Sequence, residues 1–305
     1  MGNSERHVLV LLHAAQNDAV LAATEVCLRL VEAGIVPVVR DTERDEIQAA
    51  APALAPLSTL DEGVTVDDLE CAIVLGGDGT ILRAAELLRG SAAPLIGINL
   101  GHVGFLAETE RAGIDDVVAK VSARAYEIEE RLTLRVRVKQ GEDVVFETWA
   151  LNEATVEKAS RSRILEVVLE VDRRPLSSFS CDGVVMATPT GSTAYSFSAG
   201  GPIVWPTVDA MVLVPMSAHA LFARPLVVGP ESSMAVEILA RSGTEGILWC
   251  DGRRSCDLPA GSRVVVTKSE TPVRLARLQS DAFTDRLVSK FDLPVDGWRG
   301  PASRD

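Results

Sequence analysis

The stretch that decides the fold of this chain reads CAIVLGGDGTILRAAELL and spans residues 71–88. An apolar run leads into the turn GGDGT, residues 76–80, and apolar residues at helical spacing begin at Ile81. A buried strand that ends in glycines and opens a helix is how α/β proteins form a phosphate site, because free backbone N–H groups and the helix dipole converge there. A carboxylate such as Asp78 would repel phosphate unless it holds a metal ion or accepts a proton from an attacking hydroxyl. The stretch therefore predicts phosphoryl transfer to an alcohol.

Strand and helix signals alternate along the N-terminal part of the chain. Residues 7–12, 36–39 and 95–99 are short apolar runs typical of buried parallel strands, and residues 18–33 carry apolar side chains at helical spacing. Residues 44–66 are rich in Ala, Pro, Asp and Glu and predict a surface helix and loop. This alternation predicts an α/β domain over residues 1–125, Rossmann-like with a mostly parallel sheet.

The pattern changes near Tyr126. Leu134, Val136 and Val138 alternate with basic residues, which predicts a half-buried strand that turns back at residues 140–141. Strand-like segments follow at residues 144–149, 164–171, 184–187, 211–214, 226–228, 234–239, 246–249, 263–267 and 273–278. Many short strands predict an all-β domain over residues 126–280, an antiparallel sandwich or a barrel.

Helical spacing returns between Phe283 and Phe291. We therefore expect residues 281–305 to form a helix and tail that pack on the first domain.

Net charge and composition limit the classes of function. The formal net charge of −13 at pH 7 argues against nucleic-acid and membrane-surface partners, because both require a basic face. No stretch approaches the roughly 20 apolar residues that span a bilayer, and the N-terminus has no cleavable signal pattern. The five cysteines form no CxxC pair and are expected to be buried, reduced thiols rather than a zinc site or a disulfide framework. We therefore expect a cytoplasmic protein.

Two further clusters follow predicted strands. The run NLGHVGFLAE, residues 99–108, places Asn99 and two glycines where ligands of open α/β sheets bind. Its alternative interpretation is a glycine turn with Phe105 and Leu106 in the core. The adjacent amide and carboxylate of Asn152 and Glu153 can bind a sugar diol or a polar ring edge, although a polar strand end is the commoner reason for such a pair.

The longest cluster is DGVVMATPTGSTAYSFSAGGP, residues 182–202. Its hydroxyls and exposed N–H groups can hold a nucleotide, and Tyr195 can stack near a base. The alternative is a purely structural turn of unusual composition.

Two charged groups are less specific. Lys158, Arg161 and Arg163 form a basic run that either attracts phosphate or is a solvated hairpin tip. The DG pair at residues 251–252, before Arg253, is typical of a hairpin turn.

These clusters, in this order, resemble the NAD kinases. The matching motifs are GGDGT at residues 76–80, NxGxxGFL at 99–106, NE at 152–153, TPTGSTAYSFSAGGP at 188–202 and DG at 251–252. Diacylglycerol and sphingosine kinases share GGDGT, whereas the NE pair and the TGSTAY loop narrow the resemblance to NAD kinase. The family resemblance implies an N-terminal α/β domain, a β-rich C-terminal domain and a closing segment that returns to the first.

The resemblance also implies the reaction. NAD kinases transfer the terminal phosphate of ATP, or sometimes of polyphosphate, to the 2′-hydroxyl of the adenosine ribose of NAD, with Mg²⁺ or another divalent metal, and are typically homodimers or homotetramers. By motif, Asp78 is the predicted catalytic residue and a candidate metal ligand. The predicted substrate and cofactor contacts are Gly76, Gly77, Gly79, Thr80, Arg83, Asn99, Phe105, Asn152, Glu153, Arg163, Asp182, Thr190, Thr193, Ala194, Tyr195, Ser196, Phe197, Ser198, Asp251 and Arg253.

Some alternatives stay open at this point. A lipid kinase shares GGDGT but needs an apolar groove, which the polar loop at residues 189–198 disfavours. A catalytically silent NAD-binding regulator is disfavoured by the intact Asp78. Because phosphoryl transfer passes through a loose transition state, we expect Asp78 to orient the hydroxyl and share the metal ion more than to act as a strong base.

Overall fold

The computed structural model describes residues 5–12, 17–60, 62–101, 104–278 and 283–295. The chain forms two compact units: unit 1 comprises Met1–Glu130 and Arg274–Asp305, and unit 2 comprises Arg131–Val273. The predicted boundaries, after residues 125 and 280, differ from this division. The difference arises because residues 127–130 and 274–277 belong to strands of the sheet in unit 1.

The first part of unit 1 alternates strands and helices. Its strands are β1 (His7–Leu12), β2 (Val36–Val39), β3 (Ser58–Thr59), β4 (Leu69–Leu75), β5 (Leu95–Asn99), β6 (Thr109–Glu110) and β7 (Glu127–Arg131). Its α-helices are α1 (Asn17–Glu32), α2 (Asp41–Ala50), α3 (Asp78–Leu87) and α4 (Ile114–Ala123), with short 3₁₀ turns at Pro52–Leu54, Val66–Asp68 and Arg111–Gly113.

Unit 2 consists almost entirely of strands. They are β8 (Leu134–Gln140), β9 (Asp143–Ala150), β10 (Glu153–Lys158), β11 (Leu165–Val171), β12 (Arg174–Cys181), β13 (Gly183–Ala187), β14 (Met211–Met216), β15 (Leu226–Val228), β16 (Met234–Ile238), β17 (Gly246–Cys250), β18 (Arg254–Leu258) and β19 (Ser262–Lys268). A 3₁₀ turn at Gly191–Thr193 and the short helix α5 (Tyr195–Ser198) follow β13. The chain then returns to unit 1 as β20 (Val273–Arg277) and α6 (Phe283–Phe291).

The sheet of unit 1 is parallel at its centre. Its strand order is β3-β2-β1-β4-β5-β20-β7, with β6 beside β5, and the pairs from β3 through to β20 run parallel. Strands β4 and β5 are buried almost throughout, as expected for strands covered on both faces. The prediction of a Rossmann-like, mostly parallel α/β domain is confirmed.

Helix α3 begins earlier than its apolar spacing indicates. The predicted turn at residues 76–80 shrinks to Gly76 and Gly77, and Asp78 is the first helical residue. Gly76 has a φ of +151°, and a Cβ there would lie 2.5 Å from Oγ1 of Thr80. A glycine is therefore required to bring the strand directly into the helix, and the carboxylate of Asp78 lies at the positive end of the helix dipole.

Two antiparallel sheets form unit 2. Within the described residues one has the order β15-β14-β13-β10-β17-β18 and the other β12-β11-β16-β19-β8-β9. Buried apolar side chains of both sheets, such as Val156, Val184, Val236 and Val264, belong to one core cluster. The antiparallel sandwich is therefore confirmed.

Several elements escape the sequence patterns. Strands β7, β10, β12 and β18 and helix α4 were not predicted, because their apolar periodicity is short or interrupted by charged residues. Residues 273–278, expected in the β-rich domain, instead supply β20, which pairs in parallel with β5 at Leu275 and Leu95. Alternation alone cannot assign a strand to a sheet.

The five cysteines are free thiols, and all except Cys256 are buried. Burial raises the pKa of the thiols of Cys27, Cys71, Cys181 and Cys250 to about 12. Among the helices that the structure describes, none has the length and apolarity to cross a membrane.

A three-charge cluster joins the starts of β1 and β4 to the end of α4. Arg6 donates to Glu70 through Nε at 2.7 Å and Nη2 at 2.5 Å, and to the carbonyls of Val121 and Ser122. Arg124 adds a third hydrogen bond to Glu70 at 2.9 Å. Hydrogen bonds from Arg6 lower the pKa of the Glu70 carboxyl to about 2.

We predict that Glu70→Gln destabilises the protein by about 2–3 kcal/mol at pH 7, because charge-assisted hydrogen bonds are lost. Since the folded-state pKa of Glu70 is depressed, its contribution is present above about pH 4.5 and is lost as the pH falls towards 2. Urea unfolding at several pH values measures this. The exposed Glu32, paired with Arg29, provides the control Glu32→Gln, which should cost about 0.5 kcal/mol or less. A Glu70 effect that stays constant between pH 7 and pH 3 would contradict the assignment.

Candidate functional site

Asp78 is fixed by two backbone hydrogen bonds from the segment that follows β5. Its Oδ2 accepts from the N–H of Phe105 at 3.1 Å, and its Oδ1 accepts from the N–H of Leu106 at 3.1 Å. A Cβ on Gly104 would lie 2.3 Å from Oδ1, so only glycine lets the backbone approach the carboxylate this closely. The GGDGT and NLGHVGFL motifs therefore meet at Asp78, as predicted for strand ends at one edge of the sheet.

The other predicted residues of unit 1 divide by exposure. Gly77, Gly79 and Arg83 are exposed around the start of α3, whereas Gly76 and Thr80 are buried. Asn99 is buried, and its Oδ1 accepts from the N–H of Gly101 at 3.1 Å. Its neighbours at residues 102 and 103 lie outside the described residues.

Phe105 contributes its backbone rather than its ring. The ring is buried and packs against Phe283 and Phe291 of α6, with centroids 5.9 and 5.8 Å apart. The core alternative is therefore the better description of this side chain, and its predicted contact with a ligand does not fit the ring. The ring instead fastens the segment whose N–H binds Asp78.

In unit 2 the carboxylate of Asp251 organises the Asn152-Glu153 pair. Its Oδ1 accepts from the N–H groups of Asn152 at 2.7 Å and Glu153 at 3.3 Å, and its Oδ2 accepts from the N–H of Leu151 at 2.9 Å. Arg254 adds an ion pair at 2.6 Å. The oxygens of Asp251, predicted to bind substrate, thus serve the protein itself and fix the backbone on which Asn152 and Glu153 lie.

The hairpin interpretation of the Asp251-Gly252 pair is also confirmed. Both residues have positive φ, +52° and +64°, between the antiparallel strands β17 and β18. That combination is the signature of a type I′ turn. One pair of residues therefore forms the turn and also supplies the buried carboxylate.

Glu153 is a buried carboxyl in an unusual state. It accepts a backbone hydrogen bond from Tyr195, yet burial and the nearby charge of Asp251 raise its pKa to about 8. Its Oε2 has no hydrogen-bond partner among the described residues. At pH 7 the group is mostly protonated, and it can donate a hydrogen bond to a ligand oxygen.

Three hydroxyls of the TPTGST loop donate to backbone carbonyls of the protein. Thr188 donates to the carbonyl of Leu151 at 2.5 Å, Ser192 to that of Pro189 at 2.6 Å, and Thr193 to that of Thr190 at 3.1 Å. The expectation of freely available hydroxyls is therefore wrong for these residues. Ser196 is likewise fully buried.

What this loop exposes is mainly aromatic surface. Tyr195 and Phe197 are each 40% exposed, Ser198 is exposed, and Ala194 is half-buried. The hydroxyl of Tyr195 makes a hydrogen bond with Glu157. An exposed tyrosine ring held at its hydroxyl is suited to stacking on a base.

The basic run does not act as one cluster. Lys158 forms an ion pair with Asp182 at 2.5 Å, and this hydrogen bond lowers the pKa of Asp182. Arg163 is exposed and donates to the carbonyl of Gly243 at 2.9 Å. The structure thus ties Asp182 and Arg163, both predicted to contact NAD, to protein partners and not to each other.

Sequence reasoning chose Arg253 and missed Arg254. Arg253 is exposed on the turn, whereas Arg254 pairs with Asp251 and lies 4.5 Å from the ring centroid of Trp149. Arg131, which donates to Thr190 at 3.3 Å, and the pair Glu108 and Arg286 in unit 1 were also missed. The spacing of Asp251 and Arg254 was the one available signal, because a tight hairpin brings such residues together.

No group of three His, Cys, Asp or Glu side chains suited to a metal ion occurs in the described part of the chain. Asp78 is the acidic residue in the first turn of α3. A single carboxylate fits an ion such as Mg²⁺ that is held mainly by substrate phosphates and water.

We predict that Asp251→Asn lowers the free energy of unfolding by about 2–4 kcal/mol. The N–H groups of residues 151–153 and the Arg254 guanidinium share two carboxylate oxygens in the native protein, whereas an amide has one acceptor oxygen. Chemical denaturation of the whole chain measures the loss. Asp257→Asn, at an exposed position on β18 of the same hairpin, is the matched control and should change stability by less than about 0.5 kcal/mol. Equal stability of the two variants would show that the Asp251 carboxylate does not organise residues 151–153.

Family models and relatives agree with the sequence motifs. The ATP-NAD kinase N-terminal domain matches residues 8–126, and the ATP-NAD kinase C-terminal domain matches residues 151–278. The NAD kinase of Leifsonia xyli is 63% identical over 302 residues, which cover 99% of each chain.

Two solved structures share the fold. An NAD kinase from Archaeoglobus fulgidus in complex with ATP has a TM-score of 0.71 and 25% identity, covering 94% of this chain and 98% of that one. Yeast NADH kinase complexed with NADH has a TM-score of 0.84 at 24% identity, covering 95% and 88%, and this likeness supports the fold alone. With both domain models matched and a relative at 63% identity, the chain belongs to the NAD kinase family and is a phosphotransferase that converts NAD to NADP.

Proposed function

We propose that ATP is the phosphoryl donor and that its terminal phosphate passes to the 2′-hydroxyl of the adenosine ribose of NAD, with Asp78 as the catalytic residue. The position of Asp78 supports this role, because it is the first residue of α3 and each of its carboxylate oxygens accepts a hydrogen bond from one backbone N–H. The family description as ATP-NAD kinases supports ATP over polyphosphate.

Asp78 can act without being a strong base. Each carboxylate oxygen offers two acceptor positions, and each spends one on Phe105 or Leu106. The remaining positions can accept the ribose hydroxyl, which orients it towards the donor phosphate. In a loose phosphoryl-transfer transition state the proton leaves late, so positioning contributes more to the rate than basicity.

The start of α3 supplies the complementary positive field. The exposed backbone at Gly77 and Gly79 and the helix dipole attract phosphate oxygens. A divalent metal such as Mg²⁺, bound to the donor phosphates and to Asp78, would neutralise charge that develops on the transferred group. Arg83, exposed one turn along the same helix, is a second cation for these phosphates.

We assign recognition of NAD to the Asn152-Glu153 pair and the loop around α5. The neutral carboxyl of Glu153 can donate to a ribose oxygen, the Asn152 amide can both donate and accept, and the exposed Tyr195 ring can stack on adenine. To contact NAD as predicted, Asp182 must exchange its ion pair with Lys158 for the ligand, and Arg163 must exchange its hydrogen bond to the carbonyl of Gly243. Thr190, Thr193 and Asp251 shape the site rather than touch the ligand.

The decisive assay incubates the purified protein with NAD, Mg²⁺ and either ATP or polyphosphate and measures NADP with an NADP-specific dehydrogenase. We expect NADP to form with ATP. We expect Asp78→Asn to lower kcat by at least about 100-fold, because the neutral amide cannot accept the hydrogen bond and proton of the ribose hydroxyl as a carboxylate does. Asp45→Asn, whose parent side chain is 93% exposed, should leave kcat unchanged.

Other outcomes would favour the rival functions. Binding of NAD without NADP formation would indicate a regulator, and phosphorylation of a lipid alcohol would indicate a lipid kinase. Near-normal turnover by Asp78→Asn would remove Asp78 from its catalytic role even if NADP is formed.

We also propose a cytoplasmic homodimer or homotetramer. Free, mostly buried thiols suit a reducing compartment. Unit 2 also carries exposed large apolar side chains, which are common at subunit interfaces. They include Trp205, Phe197, Leu221 and Phe222. Sedimentation equilibrium should give a mass two or four times 32.5 kDa, and a monomer at micromolar concentration would contradict the proposal.

A further inference from the structure

Arg286 of α6 binds the segment that holds Asp78. Its Nη1 donates to the carbonyls of Phe105 and Ala107, both at 3.1 Å, and its Nη2 donates to Oε1 of Glu108 at 3.1 Å. The side chain of Arg286 is only 13% exposed, and that of Glu108 is 2% exposed. One guanidinium therefore spans three acceptors within four consecutive residues.

The carboxylate of Glu108 fastens this arrangement to the sheet. Arg277 of β20 also donates to it, and the backbone N–H of Leu278 donates to Oε2 at 3.0 Å. The N–H of Glu108 itself donates to the carbonyl of Gly97 in β5 at 2.8 Å. The segment is thus bound on one side by β5 and on the other by Arg286.

The two faces of the segment serve different partners. The carbonyls of Phe105 and Ala107 accept from Arg286, while the N–H groups of Phe105 and Leu106 donate to Asp78. Because the peptide unit is planar, fixing the carbonyl of Phe105 also fixes the direction of the N–H of Leu106. The Arg286 guanidinium and the Asp78 carboxylate therefore bind opposite edges of one peptide unit, between Phe105 and Leu106. The two residues lie about 200 positions apart in the sequence, so no local motif indicates their connection.

We propose that Arg286 is a positioning residue for Asp78 and acts on phosphoryl transfer through the segment at residues 104–108. The inference rests on the catalytic role proposed for Asp78. Arg286 touches neither substrate in this role, so its loss should lower kcat and leave the Michaelis constants for NAD and ATP nearly unchanged.

Arginine is the side chain that this role requires. A planar guanidinium has donors in fixed directions and can bind two carbonyls and a carboxylate at once, whereas a lysine ammonium is a point charge with a smaller span. Arg286→Lys should therefore restore only part of the activity that Arg286→Ala loses.

The test compares these variants with Arg274→Ala. Arg274 lies on β20 of the same returning segment, and within the described residues its hydrogen bond and ion pair, at 3.0 Å, are with Glu130 rather than with residues 104–108. We expect Arg286→Ala to lower kcat by roughly 10- to 100-fold, since misplacement by about 1 Å has effects of this size, with Michaelis constants within about twofold. Arg274→Ala should keep wild-type kcat.

A double-mutant cycle and amide exchange separate positioning from general damage to the fold. If Arg286 acts through Asp78, Arg286→Ala should lower the residual kcat of Asp78→Asn by less than about threefold. Hydrogen–deuterium exchange of the peptide containing residues 104–108 should accelerate at least about tenfold in Arg286→Ala and not in Arg274→Ala.

The outcomes distinguish this proposal from the proposed function. A wild-type protein that makes no NADP refutes the function, while the exchange rates still report whether Arg286 holds the segment. An active Arg286→Ala variant with unchanged kcat, an equal loss in the Asp78→Asn background, or unchanged exchange at residues 104–108 would each overturn the positioning role.

Discussion

The hydrogen bonds from the Phe105 and Leu106 N–H groups to Asp78 impose a set of demands on unit 1. Helix α3, whose first residue is Asp78, must follow β4 with only Gly76 and Gly77 between them, and this sharp turn requires the positive φ of Gly76. The donor segment must pass directly over the carboxylate, which requires Gly104. It must also pack closely on β5, where a Cβ on Gly97 would lie 2.8 Å from Cα of Ala107. The three glycines are thus consequences of one carboxylate held by backbone groups.

Unit 2 uses the same physical solution for a different purpose. Asp251 gathers the N–H groups of residues 151–153, and a Cβ on Gly191 would lie 1.9 Å from the carbonyl oxygen of Asn152. This arrangement places the negative charge of Asp251 in the interior beside the carboxyl of Glu153. Repulsion between the two groups is reduced because Glu153 remains protonated at neutral pH. In both units an aspartate organises backbone, but Asp78 is only half-buried and keeps acceptor positions open, whereas Asp251 is enclosed.

The sequence predicted the local parts of this arrangement and missed the distant ones. The apolar runs of β1, β4 and β5 and the GGDGT turn were recognisable, because strand burial and glycine chemistry act over a few residues. The meeting of Asp78 with residues 105–106 followed from the general rule that parallel strand ends share an edge. The carboxylate of Glu108 and its partners Arg277 and Arg286 could not be predicted, since a buried charge and its counter-charge leave no periodic pattern in the chain.

The loop after β13 shows why composition misled the interpretation of individual side chains. A run of threonines and serines suggested hydroxyls available to a nucleotide, but these hydroxyls satisfy backbone carbonyls. Ser192 and Thr193 donate to carbonyls of the same sharply turning loop, and Thr188 donates to that of Leu151. What then faces solvent is the rings of Tyr195 and Phe197. Recognition by an aromatic face held in place by the folded loop needs little rearrangement on binding, because the ordering entropy has been lost in folding. The same reasoning applies to Asp78, because a carboxylate already oriented by two N–H groups can align a ribose hydroxyl without first having to be ordered. In a loose transition state the protein contributes mainly by such positioning of the reacting groups.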